Sequence, residues 1–422
     1  MSGEFPGAPR ARVLVVGAGP AGLMAAGKAA QCGALVTVLE RNPKTAVKLR
    51  ITGKGRCNLT NDAPLESFIE AFGPNGVFLY GALSRFSPAD LREFLAKVGV
   101  ATVVERGGRV FPASGSAVDV AEALERWVLK QGAQFIKRCR AKNLVVRDGS
   151  VVGVVTGEQR LIPADRVVIA TGGLSYPQTG STGDGYKMAR DVGHTVIPCR
   201  PSLVPLETAE DWPKQLQGVS LRNVRATVLL DEKPQASEFG EMLFTHFGIS
   251  GPIILTLSRC VVPLLGQGRV EISINLKPAL SEEKLDARLV RDFRSKKHFK
   301  NYLPELTVRA LGPILIQKSG IPEHQPLNLI TVEQRRRLIK ALTDLRVTIL
   351  RTRPIEEAII TAGGVCLKEV DPRTMESKLV KGLYFAGEVL DLDAKTGGYN
   401  LQAAFSTGWV AGESASKPTP AE

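Results

Sequence analysis

The stretch RVLVVGAGPAGLMAA, residues 12–26, decides the fold of this chain. Its first five residues form an apolar, β-branched run, which predicts a buried strand. An alanine-rich helix should follow to about Cys32, with Gly33 as its C-terminal stop, and LVTVLE at 35–40 predicts a second strand. Strand, helix and strand within about 30 residues are typical of the βαβ unit of a parallel sheet.

The glycines of this stretch have the spacing GxGxxG. Gly17 permits a tight turn, Gly19 removes a side chain where a pyrophosphate must approach, and Gly22 lets the helix pack against the strand. The helix N-terminus, with Pro20 and Ala21 in its first turn, should offer N–H groups and a positive dipole end to phosphates. Glu40, 18 residues past Gly22, should accept hydrogen bonds from a ribose. The alternative is a structural strand–turn–helix without a nucleotide.

A second glycine loop lies about 370 positions further on, in GLYFAGEVLD at 382–391. Gly387 should allow close backbone approach, and Glu388 could bind a sugar hydroxyl. TGGYNLQAAF at 396–405 then places two glycines before a helix, whose N-terminus could face an electron-rich carbonyl of a flavin. FAD is long enough for one loop to bind its AMP half and the other its ribityl and flavin half. The two loops together therefore predict FAD.

The sequence pattern changes in the middle of the chain. Short segments that read as strands, with turns between them, continue to about residue 278 and predict a small antiparallel sheet or barrel; they include VRATVLL (224–230), PIILTLS (252–258) and RVEISINL (269–276). A helical pattern follows, in which TVEQ at 331–334 reads as a capping box. LRVTIL at 345–350 reads as a return strand.

We therefore predict one nucleotide-binding domain built from both ends of the chain, with two insertions. Its N-terminal part is 1–198 and its C-terminal part is 362–422. A β-barrel-like insertion occupies 199–279, a helical insertion occupies 280–344, and 345–361 returns to the barrel.

Composition restricts the class of protein. The 422 residues are 44% hydrophobic and 23% charged, and no run of about 18 apolar residues predicts a membrane span. The start, MSGEFPGAPRAR, lacks the pattern of a signal peptide. Six scattered cysteines without a CxxC pair and four histidines do not favour a metal site, and reduced thiols fit a cytoplasmic protein. The net charge of +13 fits an acidic partner, a nucleic acid, a membrane surface, phosphate-bearing ligands or a generally basic surface.

Several longer motifs resemble those of the BaiN/YhiN-like flavoproteins, which are NAD(P)/FAD-dependent oxidoreductases that overlap with the aminoacetone-oxidase-like group. The resemblance runs from about residue 11 to 413. It implies an α/β fold, a glutathione-reductase-like FAD-binding Rossmann-type domain with a β-barrel insertion and a helical insertion. The motifs are RITGKGRCNLTN (50–61), GGRVFPAS (107–114), ATGGLSYPQTGSTGDGYKMA (170–189), PSLVPL (201–206), LFTHFGISGP (243–252), TAGGV (361–365) and DPRTMESKLVKGLYFAGEVLDLDAKTGGYNLQAAFSTG (371–408).

The resemblance also implies a set of FAD contacts. The Gly17–Gly22 loop would take the pyrophosphate, and Gly387 and Glu388 would lie near the flavin. The other implied contacts are Glu40 and Arg41 at the adenosine, Ala141 at the adenine, Thr171 and Gly172 near the ADP portion, Lys48, Arg56, Cys57 and Asn58 along the ribityl–flavin side, and Gly398, Tyr399, Asn400, Leu401 and Gln402 near the flavin.

The flavin itself would carry the redox step, so few side chains need to react. His246, Tyr176 and Tyr399 are the candidate catalytic residues, and each has a purely structural alternative. Cys57 lacks the second cysteine of a disulfide reductase and reads as a packing residue beside the flavin. No second GxGxxG indicates a dedicated NAD(P)H domain, so NAD(P)H would bind transiently or another reductant would serve.

Three functions remain open. The leading one is an FAD-dependent oxidoreductase acting on a small organic molecule, with NAD(P)H as a possible donor. The second is a tRNA-modifying flavoprotein, because KLDARLVRDFRSKKHFK (284–300) carries seven Lys and Arg against two Asp. No RNA-binding motif accompanies this segment, so solvated basic helices are favoured over a nucleic-acid partner. The third is a flavin-binding scaffold without catalysis. The sequence does not assign an oligomeric state.

Overall fold

The computed structural model describes residues 10–417. Most of the N-terminal segment in which we predict no signal peptide therefore lies outside the described residues. The chain divides into two compact units, Met1–Arg200 with Ile359–Glu422, and Pro201–Ala358.

Both ends of the chain contribute elements to the first unit. Its strands begin with β1 (Arg12–Val16), β2 (Leu35–Glu40), β3 (Thr60–Asn61), β4 (Thr102–Val104), β5 (Arg109–Pro112), β6 (Gln134–Lys137), β7 (Ala141–Arg147), β8 (Ser150–Thr156), β9 (Leu161–Pro163), β10 (Arg166–Ile169) and β11 (Val196–Ser202). Its helices begin with α1 (Pro20–Gln31), α2 (Val47–Ile51), α3 (Leu65–Ala71), α4 (Tyr80–Arg85), α5 (Pro88–Lys97), α6 (Ala117–Lys130) and α7 (Asp184–Asp191).

The second unit combines a barrel with helices. Its strands are β12 (Leu206–Thr208), β13 (Ser220–Leu230), β14 (Lys233–Thr245), β15 (Gly248–Ser250), β16 (Val270–Asn275) and β17 (Leu345–Thr352). Its helices are α8 (Trp212–Gln215), α9 (Pro252–Leu264), α10 (Glu282–Asp292), α11 (Phe299–Leu306), α12 (Gly312–Ser319) and α13 (Val332–Thr343). The chain then returns to the first unit as β18 (Ile360–Val365), β19 (Leu383–Phe385) and α14 (Tyr399–Ala415).

A five-stranded parallel sheet in the order β19-β10-β1-β2-β6 forms the centre of the first unit. The predicted βαβ unit is confirmed, and α1 ends at Gln31 with Gly33 in the left-handed region (φ +95°). From β1, the chain proceeds to β2 on one side, and β10 lies on the other. This reversal is the switch point at which open α/β sheets bind ligands, beyond the carboxyl ends of their strands.

Close helix packing joins the two ends of the chain. A Cβ atom added to Gly408 would collide with the carbonyl oxygen of Ala21, and one added to Gly412 would collide with that of Ala25. Helix α14 therefore approaches α1 at a distance that only glycine permits at these positions. This packing places the middle of α14, around Gly408, beside the start of α1.

The second unit contains a closed six-stranded barrel in the order β12-β15-β14-β13-β16-β17, and α10 to α13 lie between its last two strands in the sequence. The predicted barrel is confirmed, and the bounds predicted for the two insertions stay predictions. The prediction of a strand at PIILTLS was wrong, because these residues begin α9. Ile253, Ile254, Leu257 and Val261 are buried at helical spacing, and a seven-residue apolar window cannot reveal that period.

Across residues 10–417, no helix has both the length and the apolar character needed to cross a membrane.

Candidate cofactor site

The first glycine loop leaves free volume at the N-terminus of α1. Gly17 has φ +99°, and its N–H donates to the carbonyl of Leu39 at 2.8 Å. A Cβ on Gly22 would collide with the carbonyl oxygen of Gly17, whereas a Cβ on Gly19 would meet no atom within 4 Å. The first N–H groups of a helix have no partner within it, and those of Ala21 and Gly22 stand beside this space. The arrangement suits a pyrophosphate.

Glu40 ends β2 beside this loop and is only 6% exposed. Its Oε2 accepts from the backbone N–H of Ala18 at 2.9 Å, and its Oε1 accepts from that of Asn42 at 2.7 Å. Burial raises the pKa of this carboxyl, although both hydrogen bonds act to lower it. A carboxylate oxygen has two lone pairs, so each oxygen keeps one for a hydroxyl group.

The predicted adenosine side forms a charged rim. The Arg41 guanidinium contacts the Thr182 hydroxyl and lies 3.3 Å from the Asp184 carboxylate, which Arg140 also contacts at 2.6 Å. The N–H of Cys139 donates to the Glu40 carbonyl at 2.9 Å. This bond brings the buried Ala141, at the start of β7, into the neighbourhood of Glu40.

The C-terminal glycine loop lies against the first one. The N–H of Ala386 donates to the Ile169 carbonyl at 3.0 Å, and that of Gly387 donates to the Thr407 hydroxyl at 3.0 Å. A Cβ on Gly387 would lie 2.8 Å from the Cβ of Ala21 in α1. Two loops about 370 positions apart in the sequence thus meet at one edge of the sheet.

Glu388 is the centre of a polar network. Its Oε2 accepts from Lys48 Nζ at 2.7 Å, and its Oε1 accepts from the Ser175 hydroxyl and the Thr361 N–H, each at 2.9 Å. Lys48 Nζ also donates to the Ser175 hydroxyl at 2.7 Å. Sequence reasoning missed Ser175 and Thr361, although both lie inside quoted motifs. Three of the roughly four acceptor positions of the carboxylate are already used, which leaves one for a sugar hydroxyl.

The loop before α14 is fixed by the segment around β3. With its amide turned to satisfy both ends, Asn58 accepts from the Gly398 N–H at 3.2 Å and donates to the Thr60 carbonyl at 3.1 Å. Asn61 Nδ2 donates to the Gly397 carbonyl at 3.1 Å. These bonds orient the start of α14, where Tyr399 begins the helix and its first N–H groups lack partners within it.

Two buried polar atoms near these loops have no hydrogen-bond partner within the described part of the chain. They are the Thr171 hydroxyl oxygen, next to Gly172, and Gln402 Oε1. Gln402 is fully buried, and its amide nitrogen donates to the Phe86 carbonyl at 3.1 Å. Buried polar atoms normally have partners, so these atoms fit a site for a ligand with donor groups. The remaining two residues of this predicted stretch contribute to local structure, because Asn400 Oδ1 accepts from the Ala394 N–H at 2.9 Å and Leu401 is half-buried.

Cys57 and Arg56 lie in different surroundings despite being neighbours. Cys57 is fully buried, and burial raises the pKa of its thiol to about 12. It is therefore a protonated thiol at neutral pH, in keeping with a packing role. The Arg56 guanidinium is half-exposed, lies 4.3 Å from the centre of the Phe111 ring and pairs with Glu105.

Two of the candidate catalytic residues, Tyr399 and Tyr176, lie in the first unit, and His246 lies in the second. Tyr399 packs edge-on against Phe68 at 4.8 Å, and burial raises the pKa of its hydroxyl. Tyr176 has φ +51° and accepts from the Thr179 N–H at 2.8 Å through its carbonyl. His246 lies in the turn between β14 and β15 of the second unit, exposed and edge-on to Phe247 at 4.9 Å. Catalytic roles for all three stay predictions.

No cluster of three His, Cys, Asp or Glu side chains within residues 10–417 is arranged to bind a metal ion.

Several known proteins are similar to this chain in sequence. Residues 11–414 match the family model described as the HI0933-like protein Rossmann domain. The 3-dehydro-bile acid delta(4,6)-reductase of Clostridium scindens is 32% identical over 412 residues, which cover 96% of this chain and 99% of the relative. The ribosomal RNA dihydrouridine synthase of Escherichia coli is 32% identical over 400 residues, which cover 94% of this chain and 96% of the relative.

Solved structures share the fold at lower identity. A flavocytochrome c3 fumarate reductase aligns with a TM-score of 0.54 and 20% identity, over 96% of this chain and 78% of that protein. A 3-ketosteroid-delta4-(5alpha)-dehydrogenase from Rhodococcus jostii RHA1 aligns with a TM-score of 0.52 and 16% identity, over 97% of each chain. At such identities these similarities establish the fold alone.

Proposed function

This chain belongs to the HI0933-like FAD-binding Rossmann family and is an FAD-dependent oxidoreductase, and from that premise we propose that it reduces a carbon–carbon double bond conjugated to a carbonyl group in a small organic molecule. One observation carries the proposal. Two relatives that match nearly the whole chain carry names of reductive reactions on very different molecules, a 3-dehydro-bile acid and a ribosomal RNA uridine.

The bond that is reduced is the feature common to the two names. A 3-dehydro steroid with double bonds at positions 4 and 6 has those bonds conjugated to its 3-oxo group. Dihydrouridine is uridine whose ring double bond, also conjugated to a carbonyl, has been saturated. Reduction of a bond directly conjugated to a carbonyl adds a hydride to the carbon β to the carbonyl and a proton to the α carbon.

The residues of this chain would hold FAD in an extended form. The N–H groups at the start of α1 would bind its pyrophosphate, and Glu40 its adenosine ribose. The network of Lys48, Ser175 and Glu388 would orient the ribityl side, and the first N–H groups of α14 would face the flavin carbonyls. When bound and reduced, FAD supplies the hydride.

A proton donor is also required. Tyr399, the first residue of α14, is the first candidate for this donor; burial raises the pKa of its hydroxyl, which is therefore protonated at neutral pH but is a weaker acid than a free tyrosine. Tyr176 and His246 are the alternative donors. NADH or NADPH is proposed as the reductant of the flavin, through transient binding, because the sequence contains no second dinucleotide motif.

A second candidate substrate, RNA, is favoured by the charge of the helical segment. Residues 277–343 carry fourteen Lys and Arg against seven Asp and Glu, which is +7 of the net +13 of the chain. Within residues 10–417 no ion pair is found for eight exposed cations of this segment, which are Lys284, Arg294, Lys296, Arg309, Lys318, Arg336, Arg337 and Lys340. Such a surface could bind phosphates.

One experiment separates the candidates. The flavin is reduced anaerobically and mixed with 3-oxo-4-ene steroids, simple cyclic enones or unmodified ribosomal RNA, while flavin reoxidation is followed by absorbance and the products by mass spectrometry. Fast reoxidation with a saturated product from a small enone supports the first candidate. Reoxidation by RNA alone, lost when Arg291, Arg294, Lys296 and Lys297 are neutralised, supports the second. Failure of every acceptor contradicts both.

A further inference from the structure

Two glycine-containing segments of the first unit place four cations on its surface. The segment TGKGR at 52–56 carries Lys54 and Arg56, the turn between β4 and β5 carries Arg106, and Arg109 follows as the first residue of β5. All four side chains are exposed. We call these four residues the cationic patch.

The patch is ordered around one ring and one carboxylate. The Arg56 and Arg109 guanidinium carbons lie 4.3 and 5.9 Å from the centre of the buried Phe111 ring. Both guanidinium groups also face Glu105, Arg56 in a direct ion pair and Arg109 at 3.9 Å. Stacking on a ring restricts a guanidinium and leaves its N–H edge available for a planar anion.

The charge of the patch is only partly neutralised. Within residues 10–417 no ion pair is found for Lys54 or Arg106, and Glu105 is the carboxylate that Arg56 and Arg109 share. Four cations with one anion give the patch a local charge of about +3, and like charges held together repel one another. An anionic ligand would relieve this repulsion.

The patch lies beside the loop that precedes α14. Asn61 Nδ2 donates to the carbonyl of Gly107, between Arg106 and Arg109 in the sequence, at 3.2 Å, and to the carbonyl of Gly397 at 3.1 Å. A single side-chain amide therefore links the cationic turn to the segment proposed to face the flavin. All these contacts are within the first unit.

We propose that the cationic patch binds an anionic group of the substrate, a carboxylate or a phosphate, carried at a distance from the double bond that is reduced. This inference rests on the proposed function. It makes the patch a determinant of specificity: an enone that carries an anion is preferred over its neutral analogue. Bidentate contacts from Arg106 and Arg109 would hold the anion.

The test compares matched pairs of acceptors. The double variant R106Q/R109Q and the wild-type holoenzyme are assayed with 3-oxo-4-cholenic acid against its methyl ester, and with uridine 5′-monophosphate against uridine. R147Q is the control, because Arg147, the last residue of β7, is also exposed at a hairpin and has no ion pair within residues 10–417. FAD content and melting temperature verify that each variant is folded and loaded.

The expected result is a preference of the wild type for the anionic member of a pair, expressed in KM rather than kcat. The ratio of the KM for the neutral member to the KM for the anionic member should fall roughly three- to thirtyfold in the double variant. The same ratio should stay unchanged in R147Q. Salt should weaken the preference in the wild type. The pair that responds, carboxylate or phosphate, identifies the anion.

Equal KM values for both members in the wild type, or a preference unchanged in R106Q/R109Q, would overturn the patch proposal while the proposed function stands. If neither member reoxidises the flavin, the proposed function fails, and binding is then measured directly from the flavin difference spectrum during titration with the same acid and ester. Tighter binding of the acid that is lost in the double variant supports the patch. Equal binding overturns it.

Discussion

Replacing Glu388 by glutamine should lower the affinity of the protein for FAD. The carboxylate accepts three hydrogen bonds in the structure, from Lys48, Ser175 and the Thr361 N–H. A glutamine side chain keeps one acceptor oxygen, which can retain the bonds to Ser175 and Thr361. Its amide nitrogen would then face the Lys48 ammonium, so that two donors meet where an ion pair stood.

The size of the effect follows from the acceptor position that Glu388 leaves free for a sugar hydroxyl of FAD, because the amide nitrogen that replaces Oε2 cannot accept that hydrogen bond. A hydrogen bond to a charged group contributes about 1.5–3 kcal/mol when it is well shielded from water. The side chains of Lys48 and Glu388 are 22% and 15% exposed, so the lower half of that range applies. FAD affinity should fall roughly tenfold to fortyfold, since 1.4 kcal/mol is a factor of ten.

The assay is titration of the FAD-free protein with FAD, together with the absorbance spectrum and midpoint potential of the reconstituted flavin. The variant E93Q is the control, because Glu93 forms an exposed ion pair with Lys97 that should contribute little. K48M and the double variant K48M/E388Q complete a double-mutant cycle, in which the two single effects should not add. Unchanged FAD affinity and an unchanged flavin spectrum in E388Q would refute the reasoning, and the C-terminal loop would then be only structural.

Four further predictions follow from the same geometry. The purified protein should be yellow, and heat-released cofactor should be FAD by chromatography; FMN or no flavin after reconstitution would contradict the site. Gly19→Val should give a protein that folds, by circular dichroism, but does not retain FAD, because the added side chain meets no protein atom and fills the space assigned to the pyrophosphate. The stability of the protein should decline as the pH falls below about 6.5, because burial lowers the pKa of His194 from its usual 6.5, so that the unfolded chain takes up the proton more readily; His194→Gln should flatten this part of the profile of melting temperature against pH. A thiol reagent at pH 8 should modify the exposed Cys32 and spare the native Cys57, whose thiol is buried with a pKa of about 12; equal rates by mass spectrometry would show that the site opens readily.

Local sequence determined much of this protein. The βαβ unit at 12–40 could be predicted because its strands, glycines and helix are neighbours in the chain and each has a characteristic period or turn. The capping residues Ser87 and Thr331 mark the starts of their helices, because a cap acts within three residues. The misread α9 shows the limit of such reasoning, since a short apolar run suits either a strand or a buried helix.

The polar network was decided by the tertiary structure. Lys48 and Ser175 lie 340 and 213 positions from Glu388, and no local pattern pairs them. They meet because β10 and β19 are adjacent in the parallel sheet, and because α14 packs on α1 through Gly408 and Gly412. The sequence could predict that both loops bind one cofactor, but the partners of Glu388 depend on strand order and helix packing, which involve residues far apart in the chain.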